Sequence, residues 1–221
     1  MPPTDETARR RSIAFLNLAH ALDHYVMLIF PTVVIGLESA YGRSYAELIA
    51  LGTASFFAFG IFALPAGWLA DRWSRRNMMA AFYLGCGLSL IAAAFAPNLI
   101  ALAVALFALG VFAAIYHPVG TAMVIEAAVQ RGRTLAFNGV CGNLGAALAA
   151  GITAGLFSLF GARGAFLAPA AICIAVGLAY LMLVPADRQH TASRSATPDV
   201  RLAMRLAVAI FGLFVVVALT A

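Results

Sequence analysis

Lysine is absent from this 221-residue chain, and charge of any kind is scarce: Asp, Glu, Lys and Arg together make up 10% of it. A soluble domain carries about 25% charged and about 45–50% apolar residues. Here 63% are hydrophobic and the mean hydropathy is +0.95. No polar coat can be assembled from such a composition, which excludes a water-soluble globule. Disorder needs the opposite balance. Without lysine there is no Gly-rich loop ending in Lys to cradle a nucleotide phosphate. The three cysteines, Cys86, Cys141 and Cys173, lie singly inside apolar runs, with no metal-ligand spacing between them. They read as buried reduced thiols, and no disulfide framework is expected.

What the chain has in abundance is long apolar runs. A helix needs about 20 such residues to cross a bilayer. Six runs qualify, at 13–37, 46–70, 78–96, 99–125, 135–160 and 165–184. A seventh opens near Leu206 and reaches Ala221, giving about 24 Å of helix at 1.5 Å per residue. The expected fold is therefore an all-α polytopic membrane protein. Its parts are a six-helix bundle over 1–184, a polar linker over 185–205 and the start of a seventh helix over 206–221. A secretory signal is not expected, because His20, Asp23 and His24 interrupt the first run and a signal core is short and purely apolar.

The formal charge of +5 comes with 14 basic residues, all Arg. Arg9, Arg10 and Arg11 precede the first run, and Arg72, Arg75 and Arg76 follow the second. Arg131 and Arg133 follow the fourth, and Arg188, Arg194, Arg201 and Arg205 follow the sixth. Only Arg43 and Arg163 fall on the other side. Alternation of this kind is the positive-inside signature. It predicts a multi-pass protein of the cell's inner (cytoplasmic) membrane with its N-terminus in the cytoplasm. The basic balance is then an orientation signal, and no nucleic acid is expected as a partner.

Ionisable groups at bilayer depth cost about 2.5–3.5 kcal/mol on insertion scales and mark function. The first run carries Asn17, His20, Asp23, His24, Met27 and Pro31. Spacings of three and four put most of these on one stripe, with Asp23 beside it. A carboxylate flanked by imidazoles can share and pass a proton, and His titrates near pH 6.5 when unperturbed. His117 lies near the middle of the fourth run, and Pro118 should kink the helix there. Asn143 is a mid-membrane amide in the fifth run that needs a partner. His20, Asp23, His24, His117 and Asn143 are therefore the candidate substrate- and proton-binding residues. The carrier reading requires that they face a protein-lined aqueous pocket. The alternative is a hydrogen-bonded network that only holds helices together. In the same fifth run, Gly151 and Gly155 read as a small-residue helix contact.

The string Gly67-Trp68-Leu69-Ala70-Asp71-Arg72-Trp73-Ser74-Arg75-Arg76 is the most specific in the chain. On its own it is a tight charged cytoplasmic hairpin. It also resembles the signature loop of the major facilitator superfamily, roughly G-x-x-x-D-R-x-G-R-R, with Ser74 where the family usually has Gly. The resemblance implies that Gly67, Asp71, Arg72, Arg75 and Arg76 form a cytoplasmic gating motif. It further implies that this chain is the N-terminal six-helix bundle, a 3+3 inverted repeat, with a truncated seventh helix. Tyr116-His117-Pro118 and Gly142-Asn143-Leu144-Gly145-Ala146-Ala147-Leu148 are similar to the fosmidomycin-resistance branch. That branch implies an antiporter for drug resistance, exporting a small drug-like molecule with protons. Ala149 and Ala150 stand where antiporters of the family usually have Gly-Pro, and the fourth run lacks an arginine near its start.

The resulting expectation is a non-enzymatic, proton-coupled exporter working by alternating access, with no cofactor and no metal ion. Its partners would be the lipid bilayer, a small-molecule substrate, protons, and either a missing C-terminal half or a second copy. Uptake of a small metabolite is one alternative, and a half-transporter fragment inactive alone is another. A remote third is an intramembrane metalloenzyme, since His20-Ala21-Leu22-Asp23-His24 is one residue type away from the H-x-x-E-H zinc string. That reading lacks a third ligand unless His117 is brought alongside.

Overall fold

The computed structural model describes residues 3–186, with the backbone alone for residues 3–5, 39 and 40. The expected linker beyond 186 and the seventh helix lie outside the described residues. The described chain is helical, and no strand occurs among these residues.

Helix α1, Pro3–Val33, begins about ten residues before the first apolar run. Arg9, Arg10 and Arg11 are thus helical and not in a leading loop. Glu6 supports this extra turn at spacings of three and four, 2.7 Å from Arg9 and 2.6 Å from Arg10. After Pro31 the helix tightens into a short 3-10 turn at Val34–Gly36, followed by the single-turn α2, Glu38–Tyr41. Helix α3, Tyr45–Arg72, opens on a capping box in which Ser44 and Glu47 satisfy each other's backbone N–H groups. Arg43 and Glu38 serve the same cap: Arg43 pairs with Glu47, and Glu38 accepts from the Tyr45 N–H at 2.7 Å.

Helix α4 is Arg75–Ala94. The fourth span is built in pieces: α5, Leu99–Ala113, then a π turn over Tyr116–Gly120, then α6, Thr121–Ala127. Helix α7, Arg131–Leu183, runs unbroken by secondary structure for 53 residues. At 1.5 Å per residue that is about 80 Å, far beyond a hydrocarbon core of about 30 Å. Gly161 resolves the excess, because its φ of 69° and ψ of −173° turn the chain back. A Cβ there would be strained, which is why glycine occupies the corner. The helix is two antiparallel arms, the fifth and sixth expected spans.

Four arginines gather alternate ends at one end of the bundle. Arg9 donates to the Ala127 carbonyl at 3.1 Å, and Arg11 to the Leu183 carbonyl at 3.2 Å. Arg75 meets Glu126, and Arg76 donates to the carbonyls of Val184 and Leu181. At the opposite end Arg163 sits over the Phe95 ring, and Gly36 abuts the Phe157 ring. The arginines of α1 and of the α3–α4 turn thus lie at one end of the bundle.

Small residues allow the spans to approach. A Cβ at Gly110 would fall 2.0 Å from the Ser55 carbonyl oxygen, joining α5 to α3. One at Gly145 would fall 2.0 Å from the Ala21 carbonyl oxygen, joining the first arm of α7 to α1. The second arm meets α4, with Gly177 against Tyr83. Around these approaches Leu16, Ile29, Tyr83, Tyr116 and Tyr180 are fully buried. Gly151 and Gly155, expected to make such a contact, have nothing within 4 Å of a built Cβ. The buried stripe of the arm is Asn138, Gly142, Gly145, Ala149 and Thr153, a helical repeat that points both of those glycines elsewhere.

Candidate functional site

The helical repeat sets His20 and His24 one turn apart on α1, and their Nε2 atoms lie 3.2 Å from each other. Asp23 is 1% exposed, which makes it the one acid buried among the described residues. Its Oδ2 lies 3.3 Å from His117 Nε2 on the fourth span. Its Oδ1 is buried with no hydrogen-bond partner among the described residues. A buried carboxylate with one imidazole for company is stable when that imidazole donates or carries the proton. The cluster is not sealed: the His117 side chain is 43% exposed, and His20 and His24 are half-buried. Asp23 stands twelve residues from Arg11, about 18 Å along the helix, which is mid-span depth.

His117 reaches the pair because it sits in the π turn. Pro118 supplies no N–H, so the regular ladder cannot continue through it. The wider turn absorbs the defect, as such turns do at functional positions. The three imidazoles then share one space. His117 stands edge-on to His20 and His24, with centroids 5.4 and 5.6 Å away, and edge-on to Phe59 of α3 at 5.8 Å. One ring nitrogen from each of the three histidines falls within 4.8 Å of the others. The third imidazole missing from the His-x-x-Asp-His string is therefore delivered by the fold.

Asn138, on the first arm of α7, is the residue sequence reading did not single out. It is 3% exposed. Its Nδ2 donates to Asn17 Oδ1 at 3.0 Å and lies 2.9 Å from the Tyr116 hydroxyl. His20 Nδ1 donates to the Asn138 carbonyl at 2.8 Å and lies 3.0 Å from its Oδ1. Because a carbonyl can only accept, Nδ1 carries the proton, and in the neutral ring Nε2 of His20 presents a lone pair. The His20 ring is held further by stacking on Tyr116, with centroids 4.7 Å apart. Gly142 leaves room for that ring, since a Cβ there would be 2.5 Å from His20 Nε2. Asn143 is exposed beside it and makes none of the cluster's contacts. The structure unites His20, Asp23, His24 and His117 and leaves Asn143 apart.

At the end where the arginines gather, the charged loop is closed by Arg75. Its guanidinium donates to Asp71 at 2.8 Å and to Glu126 at 2.5 Å, tying the α3–α4 turn to the end of the fourth span. Arg72 donates to the Trp68 carbonyl at 3.3 Å and lies over that indole at 4.0 Å. Gly67 faces Pro118, with 3.2 Å from a built Cβ to the ring's Cβ. Ser74 caps α4 by accepting from the Asn77 N–H at 3.1 Å. Its φ of −169° is extended, so the turn makes no demand for glycine at this position. The tertiary role of Glu126 is not visible from its own helix, because its partner lies on the α3–α4 turn.

Comparison with known proteins agrees with this architecture. The family model described as Major Facilitator Superfamily matches residues 13–221. An uncharacterized MFS-type transporter of Bacillus subtilis (strain 168), YfnC, is 25% identical over 154 residues. That alignment covers 69% of this chain and 38% of the relative, so the chain matches well under half of that protein's length.

Proposed function

The chain belongs to the major facilitator superfamily, and from that premise we propose that it exports a small drug-like molecule or metabolite in exchange for protons. It is a membrane-embedded transporter rather than an enzyme. In the proposed cycle this six-span bundle rocks against a second bundle, supplied by a C-terminal half or by another copy, around a central cavity. The arginine-bearing end faces the cytoplasm of the inner membrane, and Arg75 with Asp71 and Glu126 gates it. The fosmidomycin-resistance branch is the proposed relationship within the family.

The single observation that carries the coupling is the pair of Asp23 and His117. A buried carboxylate 3.3 Å from a half-exposed imidazole provides a proton-holding group reached through a proton-passing one. His20 and His24 extend the path along α1. The described spans hold no arginine at this depth, so an anionic substrate would depend on protonated imidazoles or on the second bundle. Uptake is the second reading, favoured by Ala149 and Ala150, which leave the first arm of α7 straight where antiporters have Gly-Pro.

Everted membrane vesicles containing the full chain test this directly, with fosmidomycin as the probe. Uptake should follow an imposed proton gradient and collapse with a protonophore. Asp23→Asn should abolish the dependence on the gradient. Flux in that variant that remains driven by the gradient would remove Asp23 from the coupling, and accumulation in intact cells would reverse the direction.

A further inference from the structure

We propose that His20, His24 and His117 form a three-nitrogen binding site for a borderline divalent transition-metal ion such as Zn²⁺, Co²⁺ or Ni²⁺. The inference goes beyond the transport reading and does not need flux to be tested.

Four observations converge on it. One ring nitrogen from each histidine lies within 4.8 Å of the other two. A tetrahedral ion with nitrogens about 2.0–2.1 Å away holds its ligands about 3.4 Å apart, and the Nε2 atoms of His20 and His24 are already 3.2 Å apart. Only the His117 ring has to move in, and its position in a π turn, 43% exposed, leaves it that freedom. The two remaining observations concern how the rings are held. His20 Nδ1 is committed to the Asn138 carbonyl at 2.8 Å, which aims an unprotonated Nε2 at the centre. His117 Nε2 lies 3.3 Å from Asp23 Oδ2, and a neutral imidazole donating there has a lone pair on its other nitrogen to offer an ion. Metal-bound imidazoles characteristically donate their second N–H to a backbone carbonyl or a carboxylate, and both kinds of partner are present here.

The donor set also selects the ion. Three imidazoles suit borderline transition metals and not Mg²⁺ or Ca²⁺, which require oxygen. Three protein ligands leave a fourth position for water or an exchangeable ligand, unlike a closed structural site. A bound ion displaces the His24–His20 hydrogen bond, because both occupy the same lone pair.

The test uses the full 221-residue chain, purified in mild detergent through a tag without histidine, stripped with chelator and titrated with Co²⁺. The expected result is one Co²⁺ per chain with the intense visible absorption of four-coordinate cobalt, displaced by Zn²⁺. Asp23→Asn should weaken binding by about 10- to 100-fold, and His24→Ala by more. His190→Ala, remote in sequence, should bind as the parent does. Absence of saturable Co²⁺ binding in the parent chain overturns the proposal whatever the variants do. So does a cobalt spectrum that survives His24→Ala or is lost in His190→Ala. Loss of proton-driven flux with an intact cobalt spectrum would count against the exporter reading alone, and the reverse result against the metal site alone.

Discussion

Asn138 holds His20 through its backbone carbonyl, 2.8 Å from Nδ1, while its side chain ties Asn17 and Tyr116 together. One residue on the first arm of α7 therefore sets the tautomer of an imidazole on α1. It also closes a polar junction between three spans.

Removing that side chain should cost stability without removing the His20 contact to the main chain. Asn138→Ala leaves the Tyr116 hydroxyl and Asn17 amide buried with fewer partners, at about 1–3 kcal/mol for such a group. The apparent melting temperature in detergent should fall by several degrees. An unchanged melting temperature would show that water takes over the junction.

The glycines of α7 should separate sharply by register. Gly145→Ala forces a methyl into the Ala21 backbone and should destabilise the fold strongly, since backbone cannot yield as a side chain does. Gly142→Ala meets only the His20 ring and should be milder for folding while displacing that ring. Gly151→Ala and Gly155→Ala meet open space. They should be neutral or stabilising by up to about 1 kcal/mol, from helix propensity alone. Thermal unfolding of the four variants measures the order. Equal losses at 145 and 151 would contradict the observed packing.

Arg75 and Glu126 should matter to transport far more than to folding. Their pair is partly solvated, with side chains 28% and 47% exposed, and exposed pairs contribute about 0–1 kcal/mol. Glu126→Gln should leave the melting temperature within about two degrees. It should change gradient-driven flux several-fold, because the α3–α4 turn loses its tie to the fourth span. Arg75→Lys should behave similarly, since one ammonium cannot reproduce the two-armed contact.

Much of this architecture is written in local pattern. Apolar runs of bilayer length match the six described spans, and the arginines before the first run and after the second lie at one end. His20, Asp23 and His24 were legible because a spacing of three and four is a property of one helix. What escaped depends on tertiary contact. His117 joins Asp23 only through the π turn, whose width the proline signals but does not dictate. Asn138 and Asn143 are the same residue type five positions apart on one helix, so they face different neighbours. The signal that could have chosen between them is the small-residue stripe, because Asn138 continues Gly142, Gly145 and Ala149 at spacings of four, three and four. The helical start of α1 ahead of its arginines is not legible, because hydropathy marks where a membrane core begins, not where a helix does. Ser74 departs from the family pattern, and its extended φ explains why the turn tolerates it.

The main-chain abutment of Gly145 on Ala21 has a mechanical outcome. With no side-chain cushion between them, α1 and the first arm of α7 behave as a single strut. In the proposed cycle, rocking has to carry both together, with His20 and its Asn138 anchor riding as one. Gly110 on Ser55 ties α5 to α3 in the same way, so the bundle is braced by two such struts.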